Sequence, residues 1–146
     1  MGMKIDLDEM NPGVFFPFNP NSVDEKDADE GITLRVMNGE KLDEINKVCR
    51  IKRTEVKGNP PSRFEFLDFK EGGEEKEFEM TWDYCIMDWK GVVDSSGKEI
   101  PCNTKNKVRL MNGSPRFSSF VSACAKKLNE VNKNYEEGLE KNLLIT

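Results

Sequence analysis

With 146 residues, 36% of them hydrophobic and 34% charged, a mean hydropathy of −0.67 and a net charge of −5, the chain has the length of one domain and must build a compact core. The acidic balance offers no basic face for nucleic acid, no apolar run is long enough to span a membrane, and the start lacks a basic-then-apolar signal, so a soluble cytoplasmic protein is expected. There is no His, no phosphate loop, no dinucleotide fingerprint and no H-E-x-x-H, which argues against an enzyme and implies no cofactor.

Residues 1–31 read as an extended aromatic and acidic arm. Pro12, Pro17 and Pro20 forbid a helix around Val14, Phe15, Phe16 and Phe18. The acidic stretch from Asp24 to Glu30 then reads as a solvated loop. The remainder, 32–146, reads as one α+β domain, with a small antiparallel sheet in 32–70 and helices in 74–144. Ile32 to Met37 alternates apolar and polar residues, as a half-buried strand does. Leu42, Ile45, Val48 and Cys49 recur at helical spacing over 40–49. Ile51 to Lys57 and Ser62 to Phe69 predict two strands joined through Gly58, Asn59, Pro60 and Pro61, with Phe64, Phe66 and Leu67 on a buried face.

After Gly72 and Gly73 the period changes. Phe78, Trp82, Cys85, Ile86, Trp89 and Val93 fit one face of a helix ending near Gly91, with Trp82 and Trp89 packed in line with Ile86. Asn103 or Thr104 caps a helix to about Met111. Ser114 and Pro115 then start a last helix carrying Phe117, Phe120, Val121, Cys124 and Leu128. The expected core is Trp82, Ile86, Trp89, Phe117, Val121 and Leu128.

The arm's Phe15, Phe16 and Phe18 are the candidate partner-binding residues. Either they anchor on another chain, as exposed aromatics do at interfaces, or they fold back to close the chain's own core. Charge alternates in blocks, acidic at 24–30 and 71–79 and basic at 47–57 and from Lys105 to Arg116. Such blocks pair internally or match a partner. Cys49, Cys85, Cys102 and Cys124 lie in separate segments without a C-x-x-C pair, so free thiols and no metal are expected.

Residues 84–128 carry a resemblance. Tyr84 to Asp94 runs into Gly97, then Ile100 to Lys107, then Leu110 and Met111, then Pro115 to Val121. This resembles small proteins of the tail-morphogenesis region of bacteriophages and prophages, among them tail assembly chaperones. Their pattern is an aspartate–tryptophan ending a helix, a D-x-x-G turn, a short I-P element, a Leu-rich helix and a Pro-Phe helix start. The opening from Pro12 to Phe18 is similar to the N-terminal part of some of them. The resemblance implies a non-catalytic protein that binds the helical tape-measure protein during tail assembly in the host cytoplasm. The alternative is a structural tail or virion component that forms homo-oligomers through its N-terminal arm.

Overall fold

The computed structural model describes residues 2–4, 11–21 and 23–145, with Lys26 and 134–145 described by backbone alone. In chain order the elements are β1 (Val14–Pro17), α1 (Glu25–Ala28), β2 (Gly31–Leu34), α2 (Gly39–Cys49), β3 (Arg50–Lys57), β4 (Ser62–Phe69), α3 (Gly73–Cys85), β5 (Ile86–Lys90), α4 (Thr104–Gly113) and α5 (Pro115–Ile145). An antiparallel β region thus precedes a helical C-terminal region, as the period change from two to 3.6 predicts.

The strands form two sheets. β1, β2 and β5 make a three-stranded antiparallel sheet with β2 in the middle, and β3 with β4 makes a separate two-stranded ribbon. In the larger sheet Ile32 lies between Phe16 and Trp89, and Leu34 lies between Val14 and Ile86. Side chains alternate across a strand, so these residues share the inner face. That face meets the helices. Ile32, Leu34, Ile86, Trp89, Met111, Phe117, Val121, Cys124 and Leu128 form one buried cluster. The Trp89 and Phe117 rings meet edge to face at 5.5 Å, and the Trp89 indole N–H donates to the Ile100 carbonyl at 2.7 Å.

Local chemistry sets the helix starts. The Asn38 side chain accepts from the Lys41 N–H, and Asn103 accepts from the Asn106 N–H. The Ser114 hydroxyl accepts from the Phe117 N–H, and Pro115 takes the first helical position, where its missing donor costs nothing.

Two expectations are corrected. The helix expected from 74 to Gly91 ends at Cys85, and Ile86–Lys90 is a strand. Trp82 and Trp89 therefore do not share a helix face. The cause is a β-bulge: β2 pairs Leu34 with Ile86 but Thr33 with Asp88, leaving Met87 as an extra residue. The bulge brings Ile86 and Trp89, three apart, to the same sheet face, and that spacing imitates a helix in the sequence. The second correction concerns the ribbon, which has no buried face. Phe64, Phe66 and Leu67 are 51%, 38% and 53% exposed. The helices pack on the three-stranded sheet, and none lies over the ribbon beyond its base.

Candidate protein-interaction surfaces

The aromatic arm lies against its own chain, held at both ends. The Asn11 amide donates to the Val36 carbonyl at 2.8 Å and to the Tyr84 hydroxyl at 2.7 Å, and the Phe18 N–H donates to the Glu30 carbonyl at 3.0 Å. Tyr84 is itself fixed. The Arg35 guanidinium stacks 3.8 Å from its ring centre and donates to its carbonyl. Between these anchors β1 forms the sheet edge, and its alternation separates the phenylalanines. Phe16 faces the core beside Ile32, and the Phe18 ring sits 5.1 Å from that of Phe120 on α5. Phe15 pairs with Thr33 on the outer face and is 44% exposed. The tip of its ring reaches Gly31, where an added Cβ would collide with it and with the backbone of Phe16 and Pro17, so this position has room only for glycine.

Of the residues expected in the core, Ile86, Trp89, Phe117, Val121 and Leu128 are buried together, and Trp82 packs at the margin, edge-on to Phe78.

Phe18 also borders a groove of mixed lining, about 570 Å³ in volume. Val92, Val93, Ile100, Leu110 and Phe120 line it, with Glu30 and Arg116 as charged members. One wall is a small hairpin. Val93 bridges to Glu99, and the Ile100 N–H donates to the Val92 carbonyl at 2.8 Å. The Asp94 carboxylate ties its turn by accepting the Ser96 hydroxyl and the N–H groups of Ser96 and Lys98. The Ser96 hydroxyl bond and the Lys98 N–H bond hold that carboxyl below its ordinary range. The other wall is the α4–α5 junction. Sequence reasoning did not single out this groove. A partial signal was present: Val92 and Ile100 flank the Asp94–Gly97 turn, and Phe120 follows Phe117 by three residues.

The ribbon is the second uncovered surface. Its register places Ile51, Phe64 and Phe66 on one face and Val56 and Leu67 on the other. Its charges pair along the ribbon itself: Lys52 with Glu65 at 2.8 Å, Arg53 with Asp68 at 2.9 Å and Lys57 with Glu55 at 3.0 Å. At its base Arg50 stacks on Phe69 and pairs with Glu77 of α3 at 3.1 Å.

No comparable convergence of reactive groups occurs among the described residues, where no three His, Cys, Asp or Glu side chains are placed to hold a metal. Cys49, Cys85, Cys102 and Cys124 are free, and burial pushes each thiol up, away from the reactive thiolate. Lys107 is buried, but its ammonium is occupied by the carbonyl and carboxylate of Asp83 at 3.0 and 3.2 Å. No described helix is long and apolar enough to cross a membrane.

Among known families, residues 40–142 match the one described as YdaY prophage protein. No curated protein matches the chain, and no solved structure does.

Proposed function

The chain belongs to the YdaY prophage protein family, and from that premise we propose that it is a non-catalytic protein of the tail-assembly-chaperone type that holds an apolar helical segment of the tape-measure protein. The observation that carries this reading is the groove beside Phe18. Its floor and walls carry Val92, Val93, Ile100, Leu110, Phe117 and Phe120, it is of a size that takes the side chains of one or two helical turns, and its polar members Asn19, Glu30, Ser114 and Arg116 can orient a polar flank. Binding of an amphipathic helix needs only shape and apolar area, which fits a protein whose described residues hold no metal-binding cluster. The resemblance of residues 84–128 to tail assembly chaperones supports the same partner.

The test is co-expression with the tape-measure protein of the same prophage, followed by affinity capture. The wild-type chain should co-purify with it and raise its soluble yield. Val93→Asp places a charge on an exposed groove residue away from the core, and should abolish both effects without unfolding the protein. Capture that is equal for the two proteins would contradict the reading. The alternative, a structural component that oligomerises through its arm, is favoured by the outward position of Phe15.

A further inference from the structure

We propose that Asp94 is a positioning residue for the groove beside Phe18: it stands outside the lining, and its carboxylate holds the 92–100 hairpin in the shape that makes Val92, Val93 and Ile100 a wall. The inference rests on the groove being the binding surface. The hairpin lies between β5 and α4 and belongs to neither sheet. A short hairpin is marginal by itself, so local ties must set its shape. Its inner end is pinned to the sheet. The Trp89 indole N–H donates to the Ile100 carbonyl at 2.7 Å, and the Ile100 N–H donates to the Val92 carbonyl at 2.8 Å. Its outer end carries Val93, which is 52% exposed and forms the lip of the groove.

The turn beyond Val93 sets the lip. Val93 bridges to Glu99, and one residue further out the Asp94 N–H donates to the Lys98 carbonyl at 2.9 Å. The Gly97 N–H donates to the Asp94 carbonyl at 3.0 Å, with Gly97 at a φ of +84° that a side chain rarely adopts. The Asp94 side chain then draws the turn together. Its Oδ1 accepts the Ser96 hydroxyl at 2.6 Å, the Ser96 N–H at 2.9 Å and the Lys98 N–H at 3.0 Å. Aspartate and asparagine form such turns by bonding the backbone two residues on. Without the carboxylate, the Ser96 and Lys98 N–H groups turn to water, the hairpin splays, and Val93 moves relative to the α4–α5 wall.

Asp94 is exposed and lies outside the buried cluster, so its loss should disturb the groove and leave the core intact. The chemistry also separates shape from charge. All three bonds end on one oxygen, and an amide carries an oxygen in the same place. Asparagine should therefore keep the wall, and alanine should lose it. A residue that served the occupant through its charge would lose its effect equally in both variants.

Methyl NMR of the full chain reads the wall directly. The methyls of Val92, Val93 and Ile100 line a groove that also carries the rings of Phe18, Phe117 and Phe120, whose ring currents make the shifts sensitive to small displacements. Asp94→Ala should move the Val93 methyls most and those of Val92 and Ile100 less, while the buried Ile32 and Val121 methyls stay in place. Asp94→Asn should restore the wild-type shifts. If Asp94→Ala also moves the buried methyls, Gly97→Val, which strains the same turn and leaves Asp94 in place, is read instead and should move the wall methyls alone. Calorimetry with the tape-measure protein gives the second readout: Asp94→Ala should bind about threefold to tenfold more weakly than wild type, and Asp94→Asn should bind alike. Wall methyls that no turn variant moves, an asparagine variant that shifts as far as alanine, or equal affinity despite a displaced wall would each overturn the proposal. A wild-type chain that does not bind would sink the proposed partner of the groove, and the methyl shifts would then decide the role of Asp94 by themselves.

Discussion

Asp83 and Lys107 join α3 to α4 with unequal burial, and the inequality decides which partner matters more. The Lys107 side chain is 9% exposed and the Asp83 side chain 44%. Removing the acid leaves a buried ammonium with only the Asp83 carbonyl, whereas removing the cation leaves a carboxylate that water and the Thr104 hydroxyl still serve. Asp83→Ala should therefore destabilise the fold more than Lys107→Met, although solvent screening of Asp83 keeps its loss to about 1 kcal/mol. Thermal melts of the two variants give the order directly. Burial pushes the Asp83 carboxyl up, but the Thr104 hydroxyl and the Lys107 ammonium outweigh it and hold it below its usual range. A carboxyl lowered by folding stabilises the folded state above its unfolded pKa, about 3.9, and that contribution is lost as pH falls through the folded value. The melting-temperature gap between wild type and Asp83→Asn should stay constant from neutral pH to about 5 and shrink below about 4. A gap that widens on acidification would contradict this assignment.

At the level of the elements, the three arm phenylalanines make different predictions although the sequence groups them. Phe16 and Phe18 pack on Ile32 and Phe120, so changing either to Ser should lower the melting temperature at any protein concentration. Phe15→Ser should leave it nearly unchanged, within about 0.5 kcal/mol. The same contrast holds between ribbon and core. Phe117→Ala should cost about 3–5 kcal/mol in denaturant unfolding, while Phe64→Ser with Phe66→Ser should cost under about 1 kcal/mol. Most element boundaries were legible, because caps and turns act locally: Asn103 and Ser114–Pro115 announce their helices, and Gly58 to Pro61 announces the ribbon turn. The expectation failed where a non-local fact overrode the period. Ile86 and Trp89 share a face through a bulge opposite Thr33 and Leu34, over fifty residues earlier, and nothing near Met87 signals it. The ribbon's burial was misjudged for the same kind of reason. Alternation marks a strand with one apolar face but cannot say whether a helix will come to cover it.

Taken whole, the molecule separates its stable part from its open surfaces. One cluster under the three-stranded sheet ties α3, α4 and α5 together, and it leaves the groove beside Phe18, the outer sheet face and the ribbon unfilled. The groove was not legible as a site because its lining comes from the arm, the 92–100 hairpin, α4 and α5, which only the tertiary fold brings together. Its aliphatic and aromatic members carry no chemical signature of their own, and its polar members Asn19, Glu30, Ser114 and Arg116 are dispersed along the sequence. The arrangement suits a protein that works by contact, and the groove is where that claim is most exposed to test. Isothermal titration calorimetry of the purified chain with the tape-measure protein measures it directly. Saturable binding that Val93→Asp weakens by about tenfold or more, with both proteins melting alike, is the predicted result. No binding by the wild-type chain, or equal affinity for the two proteins, would contradict it.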